Sequence, residues 1–496
     1  MEDAASVLLG FPPTEALSSD RAYNDAINLH IKSVEHLLTQ TDITTGDNAV
    51  KLLQVLNPAV HSLSYLAILN LLQNANGVSP EQRAMATIDF FASFDSRQIR
   101  YVGQMFTNYS KNMISSSFPL PHEVKVGLLA NAILRIEPAG SMLTSLHLDL
   151  VQLAYDTDTA EHAFPVLLKQ IVYFPGMDND SASNRNSNTM PQKLLCDMTF
   201  PPPDYITQET GLTSALDVPG VLEYDYVSGL LFLTRSQWKP ARAAFERVIT
   251  HPTRDGGVSS VMTEAYNKWL LTSLLVNGRT PEIPSNTGSN AKKTYETTGK
   301  PYQALASHFD AMNAVNLKRE VDAHVEVWRQ DRNTGLVQEV LAAHQKWQIM
   351  NLRNVFSKVS LSQIRSLTCS AETGHTLPTD DDVEKLVQGM INASMLKGVI
   401  EKPDGKPAYL KYLAEAEEFS EAEYNRELAG AMKRLKELEA MYRTTNARLS
   451  TNPFWLKHVI REQKREKDNS GQGALPSFDA QIDEEDLMTG VMPGGL

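Results

Sequence analysis

Apolar residues in the first third of the chain recur at the spacing of amphipathic helices. Between residues 1 and 163 they return every three or four positions, which places them on one face of a helix. The stripes come in pairs separated by Asn, Pro, Gly, Ser or Asp, as where Asn57-Pro58 divides Leu53 and Leu56 from Leu63 and Leu66. Strand-like alternation is nearly absent, so the sequence predicts an all-α fold of paired antiparallel helices stacked into a solenoid.

One helical pair, from residue 226 to 252, can be assigned residue by residue. The segment YVSGLLFLTRSQWKPARAAFERVITHP has a small residue where two helices would cross and aromatic residues that would fill the gap. Its tetratricopeptide-like positions are Gly229, Phe232, Ala241, Phe245, Val248 and Pro252, with the proline one place early. A generic helical hairpin would have the same local structure, and both interpretations stay open.

The pattern changes after Thr334. A first amphipathic helix is followed by apolar residues between Leu352 and Val359, which continue it or form another helix, and by a short helix from Ser360. Thr379 can cap a further helix whose first turn is three consecutive aspartates, an arrangement that the backbone dipole favours. Two short apolar segments then flank a Pro-Asp-Gly turn. Three helices followed by a small hairpin predict a winged helix.

A long heptad helix is predicted after the hairpin. Its apolar or small positions step alternately by four and three residues, which gives a seam along ~45 Å of helix. The seam consists of Tyr424, Leu428, Ala431, Leu435, Leu438, Tyr442, Thr445 and Leu449. Soluble monomers rarely expose a stripe of this size, so we expect other chains to cover it; packing against the solenoid is the alternative. Residues 468–496 contain six acidic residues and no basic one, which predicts a disordered tail.

Composition and charge narrow the class of protein. The 496 residues carry 46 Lys+Arg and 59 Asp+Glu, a formal net charge of −13, which argues against a general binder of nucleic acid or anionic membranes. Cys196 and Cys369 are too few for a disulfide framework or a cysteine zinc site. The start lacks the basic residues of a secretory signal, and no apolar run approaches the ~20 residues of a membrane span. The polar segments 178–203 and 280–290 are predicted to be loops.

No motif for catalysis or for a cofactor is found, so we expect no enzyme activity, no cofactor and no metal site. The chain has no HExxH, no phosphate-binding glycine loop and no GxSxG elbow. His147 and Asp149 come nearest to a metal motif, but residues two apart on a helix point to different faces. The would-be recognition helix of the winged helix begins with Asp380, Asp381 and Asp382, which phosphate would repel, so insertion into DNA is disfavoured.

A helical-repeat array that runs into a winged helix resembles the PCI family, whose members include scaffold subunits of the proteasome lid, the COP-nine signalosome and a translation initiation factor complex. The resemblance is closest to the signalosome third-subunit family and covers roughly residues 45–460. It is carried by NPAVHSLSYLAIL, QIRYVGQMFTNYS, LTSLHLDLVQLAY, AYNKWLLTSLLVNG, NTGLVQEVLAAHQKWQIMNLRNVFSKVSLSQI, VEKLVQGMINASMLKGVIEKPDG and ARLSTNPFW, together with the repeat described above. The chain departs from the family at Asn392-Ala393-Ser394, where an acidic-Gly turn is usual, and in a longer 178–203 insertion.

The resemblance implies a division into four parts. Residues 1–220 would form the amino-terminal array, and 221–415 the PCI domain, with repeats over 221–333 and the winged helix over 334–415. Residues 416–460 would form the heptad helix, and 461–496 the disordered acidic tail.

The resemblance also implies a non-catalytic scaffold subunit in the cytoplasm and nucleus. Its complex removes the ubiquitin-like Nedd modifier from cullins, with the chemistry in another, zinc-bearing subunit, and so regulates cullin-RING ligases. Other PCI subunits would bind the winged-helix edge, at Val399, Ile400, Tyr409 and Leu410, and the helix bundle, at Tyr424, Leu428, Leu435, Leu438, Tyr442 and Leu449. The alternatives are a lid or initiation-factor PCI subunit, a nucleic-acid-binding PCI module and an unrecognised enzyme.

Overall fold

The protein is described from a computed structural model, in which the chain divides into two compact units, Met1–Glu418 and Phe419–Leu496. The structure describes residues 2–13, 19–39, 46–74, 78–174, 194–198, 200–252, 257–403, 407–413, 421–450, 455–457 and 459–461. Most of the predicted 178–203 loop, the Pro-Asp-Gly turn and the acidic tail lie outside these residues.

Helices dominate both units, as the sequence predicts. The first part of unit one contains α1 (Glu2–Leu9), α2 (Asp20–Leu38), α3 (Gly46–Val55), α4 (Ser62–Asn74), α5 (Pro80–Ser93), α6 (Ser96–Ile99), α7 (Gly103–Ile114), α8 (His122–Ile136), α9 (Ser145–Asp156), α10 (Ala160–Leu167) and α11 (Pro202–Tyr205). Its second part contains α12 (Val218–Thr234), α13 (Trp238–Ile249), α14 (Ser260–Asn277), α15 (Ser289–Thr298), α16 (Lys300–Asp310), α17 (Ala314–Ala323), α18 (Val325–Gln330), α19 (Thr334–Leu352), α20 (Leu361–Leu367) and α21 (Asp380–Asn392). Unit two is built on α22 (Glu421–Ser450).

Helices that are neighbours in sequence pack on one another and share a continuous core, which confirms the predicted solenoid. Helix α8 packs against α9, α12 against α13 and α13 against α14, while α9 also packs against α12 across the intervening α10 and α11. One apolar cluster extends from Ala4 on α1 to Leu341 on α19 and also includes Ala371, which follows α20. The predicted division between residues 220 and 221 falls inside α12, and the division into domains stays a prediction.

The tetratricopeptide-like pair forms as the spacing predicts. Gly229 lies where α12 crosses α13, and a Cβ atom there would lie 2.5 Å from Cε1 of Phe245. Phe232, Ala241 and Val248 are buried in the same core. The absence of a side chain at residue 229 therefore lets the two helices approach closely.

Several turns between helices are made by one device, a non-glycine residue in the left-handed conformation. After α12, Ser236 has φ 54°, and the backbone N–H of Gln237 donates to the Phe232 carbonyl at 3.0 Å. This bond is the 6→1 bond of a Schellman motif. The same arrangement occurs at Asp158, Met312, Arg332 and Ser394. The device ends a helix sharply and so lets the next one return.

The winged helix contains one more strand than the sequence predicts. Strands β1 (Lys358–Ser360), β2 (Gly398–Glu401) and β3 (Tyr409–Tyr412) form an antiparallel sheet in the order β1-β3-β2. Val359 pairs with Leu410 in this sheet, so its assignment to a helix is wrong. A second apolar cluster, formed by α19, α20, α21 and the sheet, surrounds Leu410, and the Tyr412 hydroxyl donates to the Ile349 carbonyl at 2.8 Å.

The polar segment predicted to be a loop over 280–290 is irregular as far as Gly288. Helix α15 begins at the next residue, Ser289. Among the described residues, no helix combines the length and the apolar character that a membrane crossing requires.

Candidate functional site

The heptad seam is on a single helix and its large apolar side chains are exposed. Tyr424, Leu428, Leu435, Leu438 and Tyr442 all belong to α22 and are between 41% and 68% exposed. At 3.6 residues per turn they fall within about a third of the helix circumference. Leu449 belongs to the same helix, but its side chain lies outside the described ones. The predicted role of these residues in partner binding stays a prediction.

Met432 widens this apolar face, and the heptad pattern alone missed it. The residue is 56% exposed and lies four positions after Leu428 and three before Leu435. The strict alternation of four-residue and three-residue spacings places Ala431 in the seam instead. With 3.6 residues per turn, Ala431 lies within the seam and Met432 lies beside it, so Met432 borders the seam. Elsewhere on α22, Arg443 pairs with Glu439 at 2.5 Å, an i,i+4 ion pair that supports the helix.

Burial of this seam would release substantial free energy. Fully burying one large apolar side chain stabilises by about 1.5–3 kcal/mol. The seam and Met432 present six such side chains, already aligned on a helix of ~45 Å. The face therefore has the geometry of one strand of a helical bundle, in which apolar residues at a 4-3 spacing pack between helices.

The sheet order corrects the predicted winged-helix edge. Because β1 pairs with one side of β3 and β2 with the other, Tyr409 and Leu410 lie on the central strand. Leu410 is fully buried, so its assignment to a partner-facing edge is wrong. The Tyr409 hydroxyl donates to the Glu401 carboxylate, and Lys358 Nζ lies 5.1 Å from the Tyr409 ring centre.

Within the described part of the chain, β2 pairs with a strand on one side alone. Val399 on this strand is 47% exposed and Ile400 is half-buried. The other outer strand, β1, has only three residues, and its Val359 is buried. The backbone of an outer strand can pair with another strand, and Val399 would add an apolar contact.

The three aspartates at the start of α21 act on the helix itself. The Asp382 N–H donates to Thr379 Oγ1 at 3.2 Å, and the Thr379 hydroxyl donates to Asp382 Oδ2 at 2.7 Å. Arg365 pairs with Asp380 at 3.2 Å. These contacts involve Asp380 and Asp382. All three carboxylates lie in the first turn of α21, where the helix dipole favours negative charge and where a recognition helix would meet phosphate.

His147 and Asp149 are structural residues. His147 is buried at the start of α9, where its Nδ1 accepts from the Thr144 backbone N–H at 3.2 Å. Burial lowers the pKa of His147 to about 3 and raises the pKa of Asp149, since both charged forms lose hydration. Over the described part of the chain, no three His, Cys, Asp or Glu side chains are grouped as metal ligands.

Comparison with known proteins agrees with this architecture. The family model for the N-terminal helical repeats of COP9 signalosome complex subunit 3 matches residues 21–186 and 204–290. COP9 signalosome complex subunit 3 of Neurospora crassa is 39% identical to this chain over 505 aligned residues, which cover 99% of each protein.

Two further relatives carry the same description. Identity is 29% to the protein of Emericella nidulans, over 71% of each chain, and 23% to that of Arabidopsis thaliana, over 83% of this chain and 85% of the relative. The resemblance deduced from the sequence is therefore confirmed. The chain belongs to the COP9 signalosome complex subunit 3 family.

Proposed function

We propose that this chain is a non-catalytic scaffold subunit of the COP9 signalosome, the complex that removes the ubiquitin-like Nedd modifier from cullins. The observation that carries the proposal is whole-length similarity to a relative named as subunit 3 of that complex. The solenoid and the exposed seam of α22 support it, because both are suited to binding other proteins and neither requires a catalytic group.

Two surfaces divide the binding work in this proposal. The seam of α22 enters a bundle with the carboxyl-terminal helices of neighbouring subunits, which cover Leu435 and Leu438. The winged helix binds a neighbouring PCI subunit through the outer edge of β2, where Val399 is exposed. Cullin-RING ligases are reached indirectly, through the assembled complex.

The chemistry belongs to another subunit in this proposal. His147 and Asp149 are the two residues nearest to a metal motif. His147 is buried in the solenoid, and burial also raises the pKa of Asp149. The chain acts in the cytoplasm and the nucleus, where it meets its partner subunits. Cullin deneddylation by the purified chain alone would contradict the non-catalytic role.

A pair of double variants tests the bundle role. Leu435→Asp with Leu438→Asp places two carboxylates in the seam, and Arg426→Asp with Lys433→Asp places them on the opposite face of α22. The tagged full-length proteins are expressed with the other signalosome subunits and purified by affinity. Mass spectrometry then measures which subunits accompany each variant.

The seam variant should lose its partners while the control keeps them. Removing two buried leucines costs about 3–6 kcal/mol of binding free energy, and carboxylates buried in their place add to the loss. The dissociation constant should rise by at least about a hundredfold. Circular dichroism should show both variants folded. Undiminished recovery of every subunit with the seam variant would overturn the bundle role.

A further inference from the structure

We infer that the acidic segment 468–496 of this chain is an intramolecular cover for the exposed face of α22. The inference concerns unit two alone and begins from its exposed apolar side chains, among them Leu435, Leu438 and Tyr442. Ile460, beyond α22, is also 55% exposed. Apolar area of this extent promotes nonspecific association when it is left in water, so a free subunit needs a temporary cover.

Charge separates unit two into complementary parts. From residue 431 to 467 there are ten Lys or Arg and four Glu, whereas residues 468–496 have six acidic residues and no basic one. Arg434, Lys436 and Arg443 on α22 are exposed and lie nearer to the seam than Lys433 does. Opposite charges on neighbouring segments of one chain attract over about 10 Å at ordinary ionic strength.

The acidic segment also contains the apolar anchors that an apolar face requires. Phe478 and Ile482 lie four residues apart, four consecutive acidic residues follow at 483–486, and Leu487 and Met488 come next. Anchors of this type can replace the water over the seam, while the carboxylates face the basic residues around it. A purely acidic segment would lack the apolar contact with the seam, and a purely apolar segment would lack the ionic contact with the basic residues.

Tethering makes a weak contact sufficient. The 29 residues from 468 to 496 span up to ~95 Å when extended, about twice the ~45 Å of α22. A flexible tether gives an effective concentration on the order of 1 mM. A contact with an intrinsic dissociation constant on the order of 0.1 mM is then about ten times more often closed than open, and it raises the dissociation constant of a competing partner helix about tenfold. That competition, unlike the cover itself, rests on the proposed function.

Hydrogen–deuterium exchange of the full-length protein tests the cover. One variant neutralises the acidic run by Asp483→Asn, Glu484→Gln, Glu485→Gln and Asp486→Asn. A second removes the anchors by Phe478→Ser and Ile482→Ser. The matched control, Gln472→Ala with Ser477→Ala, changes the same segment without touching charge or anchors. Peptides from residues 431–450 are followed by mass spectrometry at low and high salt.

Both test variants should accelerate exchange in 431–450 about tenfold, and the control should match the wild-type protein. High salt should accelerate the wild-type protein and leave the neutralised variant unchanged. Equal exchange in all four proteins would overturn the inference. So would protection that grows with protein concentration together with dimers in sedimentation, because a second copy would then be the cover.

Partner recovery separates this inference from the proposed function. Proteins with a neutralised or anchor-free segment should still purify with the other subunits, since their seam is intact. If no subunit is recovered even with the wild-type protein, the proposed function fails. The exchange experiment still decides whether residues 468–496 cover α22.

Discussion

Acid should destabilise the solenoid through His344, a fully buried residue of α19. Its ring meets Phe309 edge-on with 5.0 Å between the ring centres, and its Nδ1 lies 3.3 Å from Gln348 Nε2. Burial lowers the pKa of His344 to about 4, because an imidazolium cation would lose its hydration there. In the unfolded chain, the same side chain titrates near its ordinary pKa of about 6.5.

The sign and size follow from proton binding. Between pH values of about 6.5 and 4 the unfolded chain binds a proton that the folded chain refuses, so the free energy of unfolding decreases as pH falls. At about pH 5 the loss is about 1.5 pKa units, or about 2 kcal/mol. His30, whose pKa burial lowers to about 4, acts in the same direction. Asp225, whose pKa burial raises, acts in the opposite direction, because its folded form gains a proton more readily.

A variant comparison isolates the contribution of His344 from these other groups. His344→Leu and the wild-type protein are unfolded in urea at about pH 7.5 and about pH 5, and far-UV circular dichroism gives the free energy of unfolding. Between the two pH values, the variant should lose about 2 kcal/mol less than the wild-type protein. His122→Leu, at an exposed site on α8, is the control and should follow the wild-type protein. An equal loss in His344→Leu and wild type would refute the reasoning.

Three further substitutions test the packing. Gly229→Ala should lower the free energy of unfolding by about 1–3 kcal/mol, because its Cβ would meet an aromatic ring at 2.5 Å. Thermal unfolding measures this loss. The control Gly335→Ala should show little change, because nothing lies within 4 Å of a Cβ atom at that position. Ser236→Gly should raise the free energy of urea unfolding by up to about 1 kcal/mol, because glycine carries no Cβ penalty at φ 54°, and a decrease would contradict that account. Leu410→Ala should lower the free energy of unfolding by about 2–5 kcal/mol and speed hydrogen exchange in the sheet. Val399→Ala, at a half-exposed edge site, should leave that exchange unchanged.

The helical part of the fold was predictable because its signal is local. A stripe at three- and four-residue spacing shows which face of a helix is buried, and Gly229 marks the crossing of α12 and α13 before any contact is known. Each of these features depends on residues within a few turns of one another.

Features that depend on distant residues were not predictable. Strand β1 has three residues, too few for an alternating pattern, and it exists because Val359 pairs with Leu410 fifty-one positions later. Without that strand, the hairpin has two open edges, which is why Leu410 was placed at one. The buried Lys268 ammonium donates to Asn333 Oδ1 at 2.6 Å. This contact joins α14 to the residue that precedes α19, and no local sequence pattern predicts it.

The candidate site was likewise predictable where its features depend on one helix, and not where they depend on distant residues. The 4-3 spacing was enough to find the seam from Tyr424 to Tyr442, because an apolar stripe is a property of one helix. The exposure of its side chains depends on what packs against that helix, which the sequence of the helix does not contain. Met432 was missed because the heptad rule chooses one of two adjacent positions, whereas the helix surface has room for both.

Neighbour-to-neighbour packing in the solenoid has a consequence for how the subunit is made. Most helices of the array have their main contacts with helices a few positions away in chain order, so the core can close progressively as the polypeptide leaves the ribosome. Helix α22 follows the winged helix and is translated only after the array and the winged helix are complete. The exposed apolar face of α22 is therefore completed later than the core of the array.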